Sequence, residues 1–211
     1  MSGVDFYVQA IVSVLVITDP ITRGILFKAM TAGEPERRAE YVRKIAFTVA
    51  ITLGIAAVAG KEILDALGID LGAFGIAGGL IVAMMGFEML FGGEPSRAQG
   101  GKEAHDEPES FEGNVLVPYA IPFVAGPGAI TLVVAIASSG SGAEGTIAAL
   151  VAVAVAVILL PVGHLFIADK LNLSESGMKV FTKFGGLLVA TIGIQLMLNG
   201  IVKFFGLDVL G

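Results

Sequence analysis

Residues 16–24 read VITDPITRG and interrupt an apolar segment that begins near the N-terminus. An Asp, a Pro and an Arg each raise the cost of inserting a segment into a bilayer, so their position near mid-span requires a structural reason. Pro20 removes one backbone donor and clashes with the preceding helical turn. Asp19 before Pro20 is also a helix-start pattern, with Asp at the N-cap and Pro at the first helical position. The segment is therefore predicted to be two half-helices that meet at Asp19 and Pro20.

The composition of the whole chain indicates an integral membrane protein. Of its 211 residues 55% are hydrophobic and 15% are charged, and the mean hydropathy is +0.86. A hydrocarbon core of about 30 Å requires about 20 apolar helical residues, and several segments satisfy that requirement. We therefore predict an all-α membrane protein with six transmembrane helices, at residues 6–28, 43–60, 72–91, 115–138, 146–168 and 180–205.

The chain contains an internal repeat with an offset of 107 residues. AGGLIVAMMGFEML, which begins at Ala77, matches FGGLLVATIGIQLM, which begins at Phe184. The same offset carries Asp19 and Pro20 onto Gly126 and Pro127, so the fourth predicted helix should also be discontinuous. Each unit holds three spans, an odd number, and the second unit must therefore enter the membrane in the opposite sense. A 3+3 inverted repeat of this kind is typical of secondary transporters, although a duplicated scaffold without a transport role is the alternative.

The long connection 92–114 separates the two repeat units. It is rich in Gly, Pro and acidic residues and has no apolar face to bury, so we predict a flexible acidic cytoplasmic linker. Residues 1–91 then form the first three-helix repeat and residues 115–211 the second. Ten basic residues fall on the side of this linker and two on the other side. The positive-inside bias therefore places both termini outside a plasma (inner) membrane.

The second half-helices begin at Pro20 and Pro127, and the inversion makes their N-termini meet near the bilayer centre. Two positive helix-dipole ends and several unpaired N–H groups would then converge at one point, which suits an anionic group such as a carboxylate. Small residues there would let a substrate approach the backbone. The predicted substrate-binding residues are Thr18, Asp19, Pro20, Ile21, Thr22, Ala125, Gly126, Pro127, Gly128 and Thr131.

The charged residues near the breaks each allow two interpretations. Asp19 is either a cap alone or a cap that also contacts a substrate ammonium or a proton. Arg23 either extends to the cytoplasmic interface or forms an ion pair with Glu88, which is itself either paired or interfacial. Asp19, Arg23 and Glu88 are therefore the candidates for coupling transport to an ion. His164 fits a packed or interfacial histidine better than a proton relay.

Several classes of function are disfavoured by what the sequence lacks. There is no Cys, and two separated His residues do not make a zinc site, so no metal or cofactor is expected. A net charge of −6 argues against nucleic acid as a partner. Asp19 is the only mid-span carboxylate and has no acidic counterpart in the other repeat, so an intramembrane enzyme is not expected.

Asp-Pro, then PERR, IAGGLIVAMMGFEML and PYAIPFVAGPGAIT occur in an order that resembles the MarC family, also called the neutral amino acid transporter family, over roughly residues 5–205. The resemblance implies six spans in a 3+3 inverted arrangement and uptake of small neutral amino acids such as glycine and alanine, coupled to protons. Thr22 and Ile25 stand where members often have Gly and Pro. The residues that carry the family motifs are Asp19, Pro20, Gly78, Gly79, Glu88, Gly126, Pro127, Gly128 and Thr131.

Our interpretation of the sequence is a secondary transporter of small neutral amino acids that works by alternating access, with a proton or Na⁺ as the coupling ion. A passive channel or an exporter of small solutes is the alternative. The lipid bilayer and the amino acid are the expected partners, and the sequence does not specify an oligomeric state.

Overall fold

The computed structural model describes residues 3–31, 34–91, 125–139, 143–167 and 175–207, and the regular structure in these ranges is helical. A 3-10 turn, Pro35–Arg37, precedes the third helix, and a π-helical turn, Val162–Ile167, continues the sixth. The helices are α1 (Gly3–Thr18), α2 (Pro20–Met30), α3 (Arg38–Ala66), α4 (Leu71–Phe91), α5 (Pro127–Ala137), α6 (Glu144–Pro161) and α7 (Glu175–Phe204).

Among the described residues, five helical stretches are long and apolar enough to cross a membrane. The protein is therefore an integral, multi-pass membrane protein, and its all-α class is confirmed. The count of six spans stays a prediction, because residues 92–124 lie outside the described residues. This range includes the linker and the start of the fourth predicted span. The five stretches are Gly3–Ile25, Pro35–Ala66, Leu71–Phe91, Glu144–Leu165 and Thr182–Phe204, and Pro127–Ala137 is a shorter apolar helix.

Helix α3 is longer than the predicted span 43–60, because a helix does not end where its apolar residues end. Its first turns are polar, and the Lys44 Nζ lies 2.8 Å from the Glu40 Oε1, one helical turn away. Such i,i+4 pairs stabilise an exposed helix by a few tenths of a kcal/mol, about 0.2–0.5. Polar turns of this kind extend a helix beyond the hydrocarbon core into the interfacial region.

The apolar core lies where α1, α3, α5 and α6 pack together. Val14 of α1, Leu53 of α3, Val133 of α5 and Ala152 of α6 are fully buried within one cluster. Gly and Ala predominate among the buried residues of α6, which lets α1 and α3 approach it closely. Helix α5, which begins at the second predicted break, is therefore part of this core. Helix α2, which begins at the first predicted break, follows α1.

Helices α4 and α7 form a second, antiparallel pair with very close backbones. A Cβ atom placed on Gly72 would lie 2.7 Å from the Gly200 carbonyl oxygen, and one on Gly79 would lie 2.6 Å from that of Gly193. Residue numbers rise along one helix as they fall along its partner, so the two run in opposite directions. Only glycine fits these positions, since any side chain would push the helices apart.

Candidate functional site

The first helical break lies at Asp19, between α1 and α2. Its φ of 37° falls in the left-handed region, where a residue with a Cβ is unfavourable by about 1–2 kcal/mol, although Asp tolerates it better than most. The Asp19 N–H still donates to the Leu15 carbonyl at 3.0 Å, and the Asp19 carbonyl accepts from the Arg23 N–H at 3.2 Å. Asp19 thus leaves the helical conformation while helical hydrogen bonds continue on both sides of it.

Arg23 stabilises the end of α1 from its position in α2. Arg23 is 8% exposed, and its guanidinium donates from Nη2 to the Ile17 carbonyl at 3.0 Å. Ile17 is the residue before the last in α1, where helix carbonyls commonly lack a backbone donor, and a cation there also complements the negative end of the helix dipole. The side chain therefore turns back toward the break.

The predicted ion pair between Arg23 and Glu88 stays a prediction. Arg23 is buried beside the break, and Glu88 lies on the exposed face of α4. Its near neighbours Met84 and Phe87 are exposed on the same stretch of helix.

Helix α2 is held against the π-helical turn Val162–Ile167. A Cβ on Gly24 would lie 2.6 Å from the Gly163 carbonyl oxygen, and one on Gly163 would overlap the Pro20 carbonyl. Pro161 sits inside α6 immediately before this turn, where its missing N–H interrupts the regular ladder and favours a local change of helix type. The break in the first predicted span is therefore packed against an irregular turn in the fifth.

His164 is packed between these elements, as one interpretation of the sequence expected. It is 2% exposed, its Nδ1 lies 3.0 Å from the Leu160 carbonyl oxygen, and its ring centroid lies 5.3 Å from that of Phe27. Since a carbonyl oxygen can only accept, Nδ1 carries the proton in the neutral ring.

The second predicted break lies at Gly126 and Pro127, and the structure describes the chain from Ala125 onward. Gly126 has an extended backbone, with φ −64° and ψ 174°, and α5 starts at Pro127. No side chain caps this end, although the Ile130 N–H donates to the Gly126 carbonyl at 3.1 Å. Ala125 is fully buried. The half-helix predicted to precede this point lies outside the described residues.

Two of the three threonines of the predicted site, Thr18 and Thr131, bond to their own helices. The Thr18 hydroxyl donates to the Val14 carbonyl at 2.8 Å, and the Thr131 hydroxyl donates to the Pro127 carbonyl at 2.9 Å. Both are buried, at 4% and 2% exposure. The bond of Thr131 engages a carbonyl in the first turn of α5, and neither hydroxyl proton is then available to a substrate.

Helix α5 packs directly onto α4 at two glycines. A Cβ on Gly128 would lie 2.5 Å from the Val82 Cγ2, and a Cβ on Gly78 would overlap the Thr131 side chain. The space beside the Gly128 Cα is therefore filled by Val82 in this conformation. Pro20 and Gly128 thus have different close neighbours, Gly163 and Val82, and a joint substrate site between the two breaks stays a prediction.

A cavity of about 330 Å³ lies between α1, α5 and α7 and was not predicted from the sequence. Its signal was present, since polar residues recur at helical spacing, at 9 and 13 in α1 and at 191, 195 and 199 in α7. We call this cavity the polar groove. Its polar lining residues are Gln9, Ser13, Ser139, Thr191, Gln195 and Asn199.

Comparison with known proteins places the chain in a family. A family model described as MarC family integral membrane protein matches residues 4–205. A UPF0056 membrane protein of Pyrococcus abyssi is 33% identical over 197 residues, which are 93% of this chain and 94% of the relative. One from Methanocaldococcus jannaschii is 30% identical over 97% of this chain and 90% of the relative.

The UPF0056 inner membrane protein MarC of Escherichia coli is 31% identical over 208 residues, with 92% of both chains covered. No solved structure matches the chain. The family model covers nearly all of the chain, including both breaks and the helices that line the polar groove. The chain therefore belongs to the MarC family of integral membrane proteins.

Proposed function

We propose that this protein is a secondary transporter that moves small neutral amino acids, such as glycine and alanine, across the plasma membrane by alternating access. The proposal includes the 3+3 inverted repeat, coupling to a proton, and both termini outside. It is supported by the multi-pass helical fold, by membership of the MarC family and by the broken helix at Asp19. Broken helices in the two halves of a repeated membrane fold are characteristic of transporters.

The observation that carries the proposal is the self-complementary contact between α4 and α7. A Cβ on Gly79 would lie 2.6 Å from the Gly193 carbonyl oxygen. The offset of 107 converts this pair into Gly186 and Gly86, and a Cβ on Gly186 would lie 2.9 Å from the Gly86 carbonyl oxygen. An axis that exchanges two antiparallel membrane helices lies in the plane of the membrane, which is the symmetry of an inverted repeat.

In the proposed mechanism the starts of α2 and α5 bind the substrate carboxylate. Each offers backbone N–H groups at the positive end of a helix dipole, and each begins with Pro at the first helical position. Asp19, at the break itself, is the group placed to receive the substrate ammonium or the coupling proton. Arg23 supports this arrangement by holding the end of α1, and Glu88 remains the second candidate for coupling.

Uptake of radiolabelled glycine by proteoliposomes tests the substrate class. We expect saturable uptake that unlabelled alanine competes and that lysine and glutamate leave unchanged, because a site for a zwitterion has no partner for a further side-chain charge. Liposomes without protein provide the control. Uptake that fails to saturate would favour the passive channel, and uptake competed equally by charged amino acids would contradict the proposed substrate class.

A further inference from the structure

The polar groove is built by three helices whose ends share one side of the bundle. Its walls are formed by residues 6–13 of α1, by residues 132–139 at the C-terminal end of α5 and just beyond it, and by residues 191–199 of α7. Ser13 lies six residues before the break at Asp19, and Leu132 lies five residues after Pro127. At about 1.5 Å per helical residue, the inner end of the groove is within roughly 10 Å of both breaks along these helices. The groove therefore leads from one membrane surface toward the predicted site.

The described residues that line the groove are six polar and seven apolar ones, and the polar ones are uncharged. Gln195 donates from Nε2 to the Asn199 Oδ1 at 2.9 Å, which leaves the Gln195 carbonyl oxygen and the Asn199 amide N–H groups for other partners. None of the described lining residues carries a formal charge. An amide pair offers donors to a carboxylate and acceptors to an ammonium, whereas an ion with net charge would find no counter-charge here. The groove is therefore suited to a small zwitterion.

Lipid is a poor occupant for the same reason. The Ser139 and Thr191 hydroxyls donate to the Ala135 and Leu187 carbonyls, at 2.6 and 2.8 Å. Hydrocarbon cannot offer hydrogen bonds to the other polar side chains of the groove, those of Gln9, Ser13, Gln195 and Asn199. Residues on other faces of α7, such as Ile194 and Leu198, are apolar and exposed, as lipid contact requires. The volume of about 330 Å³ falls at the lower end of small-molecule sites, about 300–1,000 Å³.

We infer that the polar groove is a water-filled access site where a small zwitterionic amino acid binds before it reaches the helix breaks. The inference rests on the proposed function and adds to it a site, with Gln9, Ser13, Gln195 and Asn199 as the recognising residues. In this assignment the amides bind the substrate while it is still hydrated, and the groove is the half of the pathway that is open in this conformation.

Single-cysteine labelling tests the inference, and the chain contains no natural Cys. Gln195→Cys places a thiol in the groove, and Ile194→Cys places one on a lipid-facing side of the same helix at nearly the same depth. The reagent is a small, uncharged, water-soluble methanethiosulfonate, added to membrane fragments that are open on both sides. Because only the thiolate reacts and it does not form in hydrocarbon, we expect Gln195→Cys to react about tenfold faster or more. Equal slow rates would overturn the inference.

Protection by substrate tests the ligand. Saturating glycine should slow the modification of Gln195→Cys, and of Ser13→Cys on the opposite wall, whereas lysine and glutamate should not. Rapid labelling that glycine leaves unchanged at both positions would overturn the assignment of the groove to a zwitterion. Glycine uptake by the cysteine-free parent is measured in parallel and decides the proposed function separately. An absence of protection in a protein that takes up glycine therefore counts against the groove alone.

Discussion

The contact between α4 and α7 predicts that alanine substitutions at its glycines lower the free energy of unfolding. Two glycines related by the internal repeat should lower it by similar amounts. Gly79 and Gly186 are equivalent under the offset of 107, and a Cβ on either would come within 2.6–2.9 Å of a backbone oxygen on the other helix. Gly54, inside α3, has no described atom within 4 Å of a Cβ and serves as the matched control.

The magnitude follows from two opposed effects. Replacement of Gly by Ala inside a helix stabilises it by about 0.8–1.0 kcal/mol. Overpacking a close contact costs about 1–3 kcal/mol, because two backbones must separate. Gly54→Ala is therefore expected to raise the free energy of unfolding slightly. The free energies of unfolding of Gly79→Ala and Gly186→Ala should each lie about 1–3 kcal/mol below that of Gly54→Ala.

Thermal unfolding of the purified protein in detergent, followed by far-UV circular dichroism, provides the assay, since the chain has no Trp. At about 2–4 °C per kcal/mol for a chain of this size, the two variants should unfold about 2–12 °C below Gly54→Ala. Equal unfolding temperatures for all three variants would refute the close packing of α4 on α7. A large loss for Gly79→Ala with none for Gly186→Ala would refute the pairwise symmetry.

Three further predictions concern the site and the orientation. Asp19→Asn should lower glycine uptake, and change its pH dependence, far more than it lowers the unfolding temperature, and unchanged uptake would favour a cap-only role. Arg23→Leu should destabilise the protein by about 1–3 kcal/mol, because the buried Ile17 carbonyl loses a donor, and Arg23→Lys should recover part of this loss in the same unfolding assay. Cysteines at positions 96 and 141, both outside the described residues, should be respectively inaccessible and accessible to an impermeant reagent in intact cells, and the reverse labelling would overturn the orientation.

The broken first span was predictable because Asp-Pro has a strong local meaning. Pro20 cannot continue the hydrogen-bond ladder of α1, and the structure separates α1 from α2 at the residue before it. The glycines of α4 and α7 were likewise visible, since small residues at fixed spacing allow helices to approach closely. Their contacts in the structure follow the internal offset of 107 residues.

The contacts of the site depend on tertiary structure and were not predictable from local patterns. Arg23 reaches back to the Ile17 carbonyl, which depends on the turn of the chain at Asp19. The close approach of Val82 to Gly128 depends on the packing of α5 on α4, and the role of Gly128 in substrate binding stays a prediction. A residue's spacing shows which face it occupies, but the neighbour of that face is set by the whole bundle.

The polar groove illustrates the same limit. The stripe at 191, 195 and 199 repeats every four residues and could equally have marked an interface with another helix or a polar face at the membrane surface. Only the placement of α1 and α5 opposite it shows that it lines a cavity.

The steady-state ratio of internal to external glycine in proteoliposomes tests the central claim most directly. With an imposed pH gradient, a proton-coupled secondary transporter should accumulate glycine above the external concentration, and collapse of the gradient should return the ratio to unity. Alanine should behave in the same way. A ratio that stays at unity under every gradient of protons or Na⁺, while glycine still enters rapidly, would contradict a coupled transporter and show a passive channel.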